Sequence, residues 1–183
     1  GQRDALFMQH GNYKIYDYNT AKNDKWIKKD YYKWWGYEDR KLYKFAKNTL
    51  KEIASSDKPF NFTMLTADTH AQDGYTDKKC KNNYDIQLLN SYSCSDEMLS
   101  DFINWIKEQD FYENTTVVIV GDHPSMQGEL DKIFDVTNDL NLGRGVYNVF
   151  LNSKVSTDNV KNREFSTLDF FPTTLAAIGF DIK

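Results

Sequence analysis

The chain has 183 residues, of which 27% are charged and 40% hydrophobic, and its formal net charge is −4. This length allows one domain with a buried core and argues against two full domains. The acidic balance excludes the basic surface by which proteins bind nucleic acid. The longest wholly apolar runs, such as Val117 to Val120, are far too short to cross a bilayer.

In chain order, the first part of the sequence predicts a strand, a helix, a second strand and a loop. Aromatic and aliphatic residues alternate with polar ones over residues 12–19, which predicts a strand. Apolar residues three and four apart predict a helix over 38–54. The apolar stretch 60–66 predicts the second strand, and the polar stretch 67–83 predicts the loop.

The remaining sequence predicts a long helix, two strands and a terminal helix. The helix covers 84–109, which contains no glycine or proline. The strands cover 115–120 and 146–151, and the terminal helix covers 166–180 and ends at Gly179.

Alternation of strands with helices predicts the fold class. The order is typical of an α/β protein with a mostly parallel sheet and helices on both of its faces. The uninterrupted apolar run Val117 to Val120 is typical of a strand buried on both faces.

An acid and a histidine follow directly after this apolar strand, in Gly121-Asp122-His123. Open α/β sheets bind ligands at the carboxyl ends of their strands, so Asp122 and His123 could share one divalent cation. A purely structural interpretation is also open, in which Gly121 makes a turn, Asp122 caps it and His123 is a hydrogen-bonded polar side chain.

His70 follows the predicted strand over 60–66 in the same way. If that strand and the strand over 115–120 are parallel in one sheet, His70 and the Asp122–His123 pair emerge at the same edge. This convergence favours a functional His70. The alternative is a loop histidine that is hydrogen-bonded to backbone.

Two cysteines, Cys80 and Cys94, flank a polar stretch. A bridge between them would close a loop, with an entropic stabilisation of about 3 kcal/mol, and would indicate an oxidising compartment. Two free thiols remain the alternative, and the spacing does not match a zinc site.

Five segments occur in an order that resembles a known family: His10-Gly11-Asn12, Trp34 to Asp39, Pro59 to Thr66 with Thr69-His70, Gly121-Asp122-His123, and Phe165 to Leu175. In this order they resemble the phosphoglycerol transferases, which include lipoteichoic acid synthases and belong to the sulfatase-like branch of the alkaline phosphatase superfamily. The resemblance covers nearly the whole chain.

The resemblance implies a metal-dependent enzyme of the bacterial cell envelope. Such enzymes move glycerophosphate from phosphatidylglycerol to a glycan or a polyglycerophosphate acceptor through a covalent threonine intermediate. The metal, manganese, magnesium or zinc, lowers the pKa of the nucleophile and neutralises phosphoryl charge. The implied location is the extracytoplasmic face of the membrane, with a membrane anchor upstream.

By resemblance, Asp122 and His123 match two ligands of that metal. His70 matches the histidine that contacts the phosphate or glycerol headgroup, and His10 matches a second histidine of the pocket.

The family's nucleophilic threonine and a further metal-binding acid lie upstream, so Thr66 and Thr69 are not assigned the nucleophile's role. Residues 1–183 are therefore expected to form a single partial domain, the carboxyl-terminal portion of the catalytic domain. Alone, this chain is expected to be inactive and to bind divalent metal poorly.

Two other functions remain open. One is a non-catalytic module that binds a glycan or a lipid headgroup, in which Tyr31, Tyr32, Trp34 and Trp35 would stack on sugars rather than pack around the strand ends. The other is a sulfatase or phosphoethanolamine transferase, which shares the metal scaffold by resemblance.

Overall fold

The structure is a computed structural model that describes residues 3–56, 58–127, 130, 145–161 and 163–182. The chain folds as two compact units, Gly1–Phe102 (unit 1) and Ile103–Lys183 (unit 2). No helix in the described ranges is long and apolar enough to span a membrane.

Unit 1 is helical. Helices α1 (Arg3–Gln9) and α2 (Tyr18–Asn23) are short, whereas α3 (Asp39–Ala54) and α4 (Gln87–Lys107) are long, and the last turn of α4 lies in unit 2. The predictions of α3 and α4 are confirmed. Both helices were predicted from the spacing of apolar residues, which is a local property of the chain.

The core of unit 1 lies along the apolar faces of α3 and α4. Tyr43, Ala46 and Leu50 of α3 are buried at three- and four-residue spacing, as are Leu88 and other residues of α4. The rings of Tyr43 and Phe102 are 5.0 Å apart, which is within the range of favourable aromatic contact.

A covalent bond joins the loop after α3 to α4. Cys80 and Cys94 form a disulfide with their Cα atoms 5.5 Å apart, and Cys94 is fully buried. The segment between the two cysteines is therefore fixed at both ends.

Unit 2 contains two strands and a terminal helix. Strands β1 (Val117–Val120) and β2 (Asn148–Leu151) pair antiparallel, with Val117 opposite Leu151 and Val120 opposite Asn148. A 3₁₀ turn, Thr167–Asp169, leads into α5 (Phe170–Ala177), and Gly179 follows the helix with a φ of +98°. A glycine in this left-handed conformation is a common way to end a helix, as the sequence predicted.

Two predicted strands are wrong. Residues 12–19 do not form a strand, because helix α2 begins at Tyr18, and residues 60–66 form no regular secondary structure. Burial nevertheless alternates along 60–66, where the half-buried residues are Phe60, Phe62, Met64 and Thr66. The period of two was real, but a strand also needs a hydrogen-bonded neighbour, and no described residue supplies one.

The predicted sheet differs as well. The one strand pair in the described ranges is antiparallel, so these residues do not show the expected mostly parallel sheet. β1 is half-buried rather than buried on both faces, and Val120 is 44% exposed. An apolar run identifies a strand but not the direction of its neighbour.

Candidate functional site

His70 lies in a tightly hydrogen-bonded segment, residues 67–75, which we call the His70 loop. The His70 N–H donates to the Ala67 carbonyl (3.0 Å), and the Gly74 N–H donates to the His70 carbonyl (3.2 Å). The Tyr75 N–H donates to the Asp68 carbonyl (2.6 Å). The loop therefore returns close to its starting point, with His70 at its exposed turn.

The His70 ring is oriented by two contacts. Its Nδ1 lies 2.5 Å from the Ala71 carbonyl oxygen. Since a carbonyl can only accept, Nδ1 carries the proton and Nε2 carries the lone pair. The ring also lies 4.3 Å from the Trp35 ring, measured between centroids. The geometry thus presents Nε2 as the nitrogen that can meet a ligand.

Two buried aspartates, Asp39 and Asp68, connect the loop to the first turn of α3. The Asp39 carboxylate accepts the N–H groups of Ala67 and Asp68, each at 2.9 Å. In return, the Asp68 carboxyl accepts the Asp39 N–H at 3.1 Å. The aspartate pair thus joins the start of α3 to the loop through three hydrogen bonds from backbone N–H groups to carboxyl oxygens.

Burial raises the pKa of both carboxyl groups. Burial raises the pKa of Asp39, although the N–H groups of Ala67 and Asp68 oppose the shift. Burial, and then the nearby Asp39 charge, raise the pKa of Asp68 to about 8. Among the described residues, the Asp68 Oδ1 is buried without a hydrogen-bond partner. Asp39 accepts two N–H donors and Asp68 one, so of the two it is Asp68 that is favoured as the protonated acid.

Two further buried acids near the pair are ionised. Burial alone would raise the pKa of Glu38, but hydrogen bonds from Lys41 and Tyr31 outweigh it and hold the pKa below its usual range. The same balance lowers the pKa of Asp77, where burial is outweighed by the Lys79 N–H and the Arg40 guanidinium, whose Nε lies 2.7 Å away.

The aromatic cluster before α3 divides into packed and exposed members. The Tyr31 hydroxyl donates to Glu38 (2.6 Å), and the Trp34 indole N–H donates to the Ala67 carbonyl (2.8 Å). These two side chains have structural roles. Tyr32 and Trp35 are 70% and 61% exposed, so only they could stack on a ligand.

In unit 2, the Asp122–His123 pair follows β1 as the sequence predicted. The Gly121 N–H donates to the Tyr147 carbonyl (2.8 Å), which continues the strand pairing for one residue. The His123 N–H donates to Asp122 Oδ1 (3.0 Å), and both side chains are more than half exposed. The His123 Nδ1 donates to the Pro124 carbonyl (2.9 Å), so its Nε2 carries the lone pair.

The pair's geometry fits a shared cation. His123 Nε2 and Asp122 Oδ2 are 3.5 Å apart. Two ligands about 2.1 Å from a tetrahedral ion are separated by about 3.4 Å. A histidine whose other nitrogen is held by a carbonyl is the usual form of a metal ligand. In the part of the chain that is described, no three His, Cys, Asp or Glu residues cluster as a metal site, so the pair supplies two ligands.

His10 has no contact with the other predicted site residues among the described ones. It follows the last turn of α1 and is exposed, with its N–H donating to the Leu6 carbonyl (3.0 Å). Among the described residues, no hydrogen bond or ring contact joins His10 to His70. The role of His10 stays a prediction.

Sequence reasoning did not assign roles to Asp39, Asp68 or Ser91. Asp39 carried one signal, since an acid in the first turn of a helix is common. Nothing in the sequence indicated that its partner would be Asp68, or that the Ser91 hydroxyl would donate to the Asp68 carbonyl (2.6 Å). Such contacts between distant residues leave no local pattern.

Comparison with known proteins places the chain in a family. Residues 2–180 match the model of the Sulfatase family. Phosphoglycerol transferase I of Xanthomonas campestris pv. campestris (strain B100) is 28% identical over 179 residues, which are 94% of this chain and 25% of that protein.

Two enterobacterial proteins of the same name are similar as well. Phosphoglycerol transferase I of Citrobacter koseri is 28% identical over 188 aligned residues, and that of Escherichia coli O157:H7 is 27% identical, each over 98% of this chain and 24% of the relative. This chain therefore spans about a quarter of the length of these relatives. No solved structure matches it.

The family match extends over both units and over all five segments of the motif order. It implies an α/β fold of the alkaline phosphatase type, although the strand pair in the described ranges is antiparallel. The chain belongs to the Sulfatase family.

Proposed function

We propose that the chain is part of a metal-dependent phosphoglycerol transferase, which moves glycerophosphate from phosphatidylglycerol to a glycan or polyglycerophosphate acceptor. The observation that carries this proposal is the geometry of the Asp122–His123 pair. Asp122 Oδ2 and His123 Nε2 lie 3.5 Å apart, and the lone pair of the His123 ring is on Nε2. The names of the similar proteins support the choice of phosphoglycerol as the transferred group.

In this proposal Asp122 and His123 hold a divalent cation, which we take to be Mn²⁺, Mg²⁺ or Zn²⁺. When bound, the cation supplies charge neutralisation at the phosphoryl oxygens and a lowered pKa for the attacking hydroxyl. Asp122 contributes an anionic oxygen, and His123 a neutral nitrogen oriented by the Pro124 carbonyl.

His70 binds the donor headgroup in this proposal. Its Nε2 accepts a hydrogen bond from a glycerol hydroxyl, or donates one to a phosphate oxygen when the ring is protonated. The Ala71 carbonyl and the Trp35 ring fix the ring's orientation before the ligand arrives. His10 serves as a second pocket histidine.

The nucleophile and the remaining metal ligands belong to the part of the full-length protein outside these 183 residues. In the proposed reaction a threonine oxygen forms a bond to phosphorus as the bond to the diacylglycerol oxygen breaks, and diacylglycerol leaves with a proton. An acceptor hydroxyl then displaces the threonine oxygen. This chain contributes metal ligands and headgroup contacts, with no catalytic nucleophile of its own.

We place the site on the extracytoplasmic face of a bacterial membrane, with the anchor elsewhere in the full-length protein. The disulfide between Cys80 and Cys94 supports this location, because such bonds persist in oxidising compartments.

Headgroup release by the full-length protein tests the proposal. Vesicles containing phosphatidylglycerol or phosphatidylethanolamine, and a soluble aryl sulfate, are offered separately with Mn²⁺. We expect diacylglycerol from phosphatidylglycerol only, and little from the His70→Ala variant. Release from phosphatidylethanolamine would identify a phosphoethanolamine transferase instead, and sulfate release a sulfatase.

The isolated chain provides a complementary test. Two ligands make a weak site, so calorimetry should show no sub-micromolar affinity for a divalent ion, and the chain should release no diacylglycerol. Tight binding of one ion, or release abolished by Asp122→Ala, would show that the chain contains more of the site than we propose.

A binding module for glycans or lipid headgroups is the second candidate. The exposed Trp35 ring beside His70 favours it, since an exposed indole next to a polar group is suited to sugar stacking. A full-length protein that binds phosphatidylglycerol vesicles but releases no diacylglycerol would support this candidate.

A further inference from the structure

We propose that Asp39 is the positioning residue for His70: its buried carboxylate accepts two successive N–H groups at the start of the His70 loop and so sets where the imidazole lies. The inference rests on the proposed headgroup role of His70. Asp39 itself is only 1% exposed and acts through the loop rather than on a ligand.

The two hydrogen bonds to Asp39 hold the His70 loop at its first two residues. The N–H groups of Ala67 and Asp68 each donate to a separate oxygen of Asp39 at 2.9 Å. His70 follows two residues later, and its own N–H returns to the Ala67 carbonyl. A shift of the Ala67 peptide therefore moves the backbone that carries His70.

Other side chains also bind Ala67 and Asp68, but at different backbone groups from those that Asp39 binds. The Trp34 indole and the Ser91 hydroxyl donate to the carbonyls of Ala67 and Asp68. These donors occupy the C=O groups, whereas Asp39 is the partner of the N–H groups. Without Asp39, the buried N–H of Asp68 and the part-buried N–H of Ala67 would lack an acceptor, and the loop would have to move to find one.

Asp68 provides a matched control within the same pair. Among the described residues, its carboxyl accepts only the Asp39 N–H, and its Oδ1 has no partner. An asparagine there keeps an oxygen for that N–H and resembles the neutral acid. At position 39 the same change replaces one of two necessary acceptors by an NH₂ group, which would face a backbone donor.

The test uses the ring signals of the chain's three histidines in NMR spectra, assigned by single substitutions. Because the Trp35 ring lies against His70, the His70 signals should be displaced by its ring current. In Asp39→Asn we expect this displacement to be lost, while the signals of His10 and His123 stay in place. In Asp68→Asn all three should stay near the wild-type positions.

A merely structural role for Asp39 would lower the melting temperature and leave the His70 signals of the folded protein unchanged, and that result would overturn the proposal. An equal change of the His70 signals in Asp39→Asn and in Asp68→Asn would overturn it too. If Asp39→Asn does not fold, Asp39→Glu decides, because it keeps the charge but moves both oxygens; unchanged His70 signals would then refute positioning. None of these results depends on turnover, which separately tests the role of His70.

Discussion

The two histidine sites of this chain differ in how their side chains are held in place. The His70 loop is held by buried carboxyl groups, a buried serine hydroxyl and a nearby disulfide, whereas Asp122 and His123 lie on the surface with 69% and 53% of their side chains exposed. A histidine that must meet a headgroup gains from being oriented in advance. A pair that shares a cation needs its ligand atoms close together, and the cation fixes the rest.

This contrast has a consequence for substitutions. Changes beneath the His70 loop remove buried interactions, so they lower the free energy of unfolding. Changes at Asp122 or His123 remove exposed side chains and should alter only function.

Removing the disulfide should produce the largest loss. The Cys80→Ser/Cys94→Ser double variant frees a short loop in the unfolded chain, which costs about 3 kcal/mol in the chain-entropy model. Urea unfolding of the variant and of the oxidised wild type measures the difference. Equal stability would mean that the disulfide does not constrain the loop in solution.

Gly74→Ala should cost about 2 kcal/mol, because Gly74 has a φ of +61° and lacks room for a methyl group. A Cβ would lie 2.7 Å from the Asp68 carbonyl oxygen and would also overlap the Ser91 hydroxyl. The new Cβ would also lie 2.6 Å from the Ser91 Cβ, which alanine would keep, so comparison with Gly74→Ala in a Ser91→Gly background separates the side-chain contacts from the backbone contact. Full recovery there would exclude backbone crowding and strain as the cause.

Asp68 should make stability fall as pH rises. Its pKa of about 8 in the native state exceeds the value of about 3.9 for an unfolded aspartate, so the native state binds the proton more tightly. The contribution of Asp68 to the free energy of unfolding is complete below about pH 4 and is lost as the pH rises towards about 8.

Asp68→Asn is the control for this pH effect. The variant should lose the part of the slope that Asp68 causes, while Asp39, whose pKa is also raised, keeps a slope of the same sign in both proteins. Glu38 and Asp77, with lowered pKa values, act only at more acidic pH. Identical slopes for wild type and variant, from urea unfolding at a series of pH values, would contradict the assignment of the proton.

The smallest change is expected at the exposed pair. Asp122→Ala and His123→Ala should each change the free energy of unfolding by less than about 0.5 kcal/mol, as surface substitutions usually do. Thermal unfolding of the chain measures this. A loss comparable to that of Gly74→Ala would show that the pair is structural.

Sequence alone predicted the features that are local. Helices α3 and α4 followed from apolar spacing, and Asp122 and His123 are neighbours in the chain, so their proximity required no fold. The strand over 60–66 failed because pairing depends on a partner elsewhere in the chain. The same limit hid the aspartate pair, whose members are brought together only by tertiary structure.

The failure of that strand also removes the argument that parallel strands bring His70 to the Asp122–His123 pair. The orientation of the two imidazoles was likewise beyond the sequence, since it depends on the carbonyls of Ala71 and Pro124.

Electron spin-echo spectroscopy of the Mn²⁺-loaded full-length protein tests the central claim most directly, because it detects a histidine nitrogen bonded to the ion. We predict a nitrogen coupling that disappears in His123→Ala and persists in His70→Ala and His10→Ala. A coupling that survives in His123→Ala, or disappears in His70→Ala, would contradict the assignment of His123 as the metal ligand and His70 as the headgroup contact.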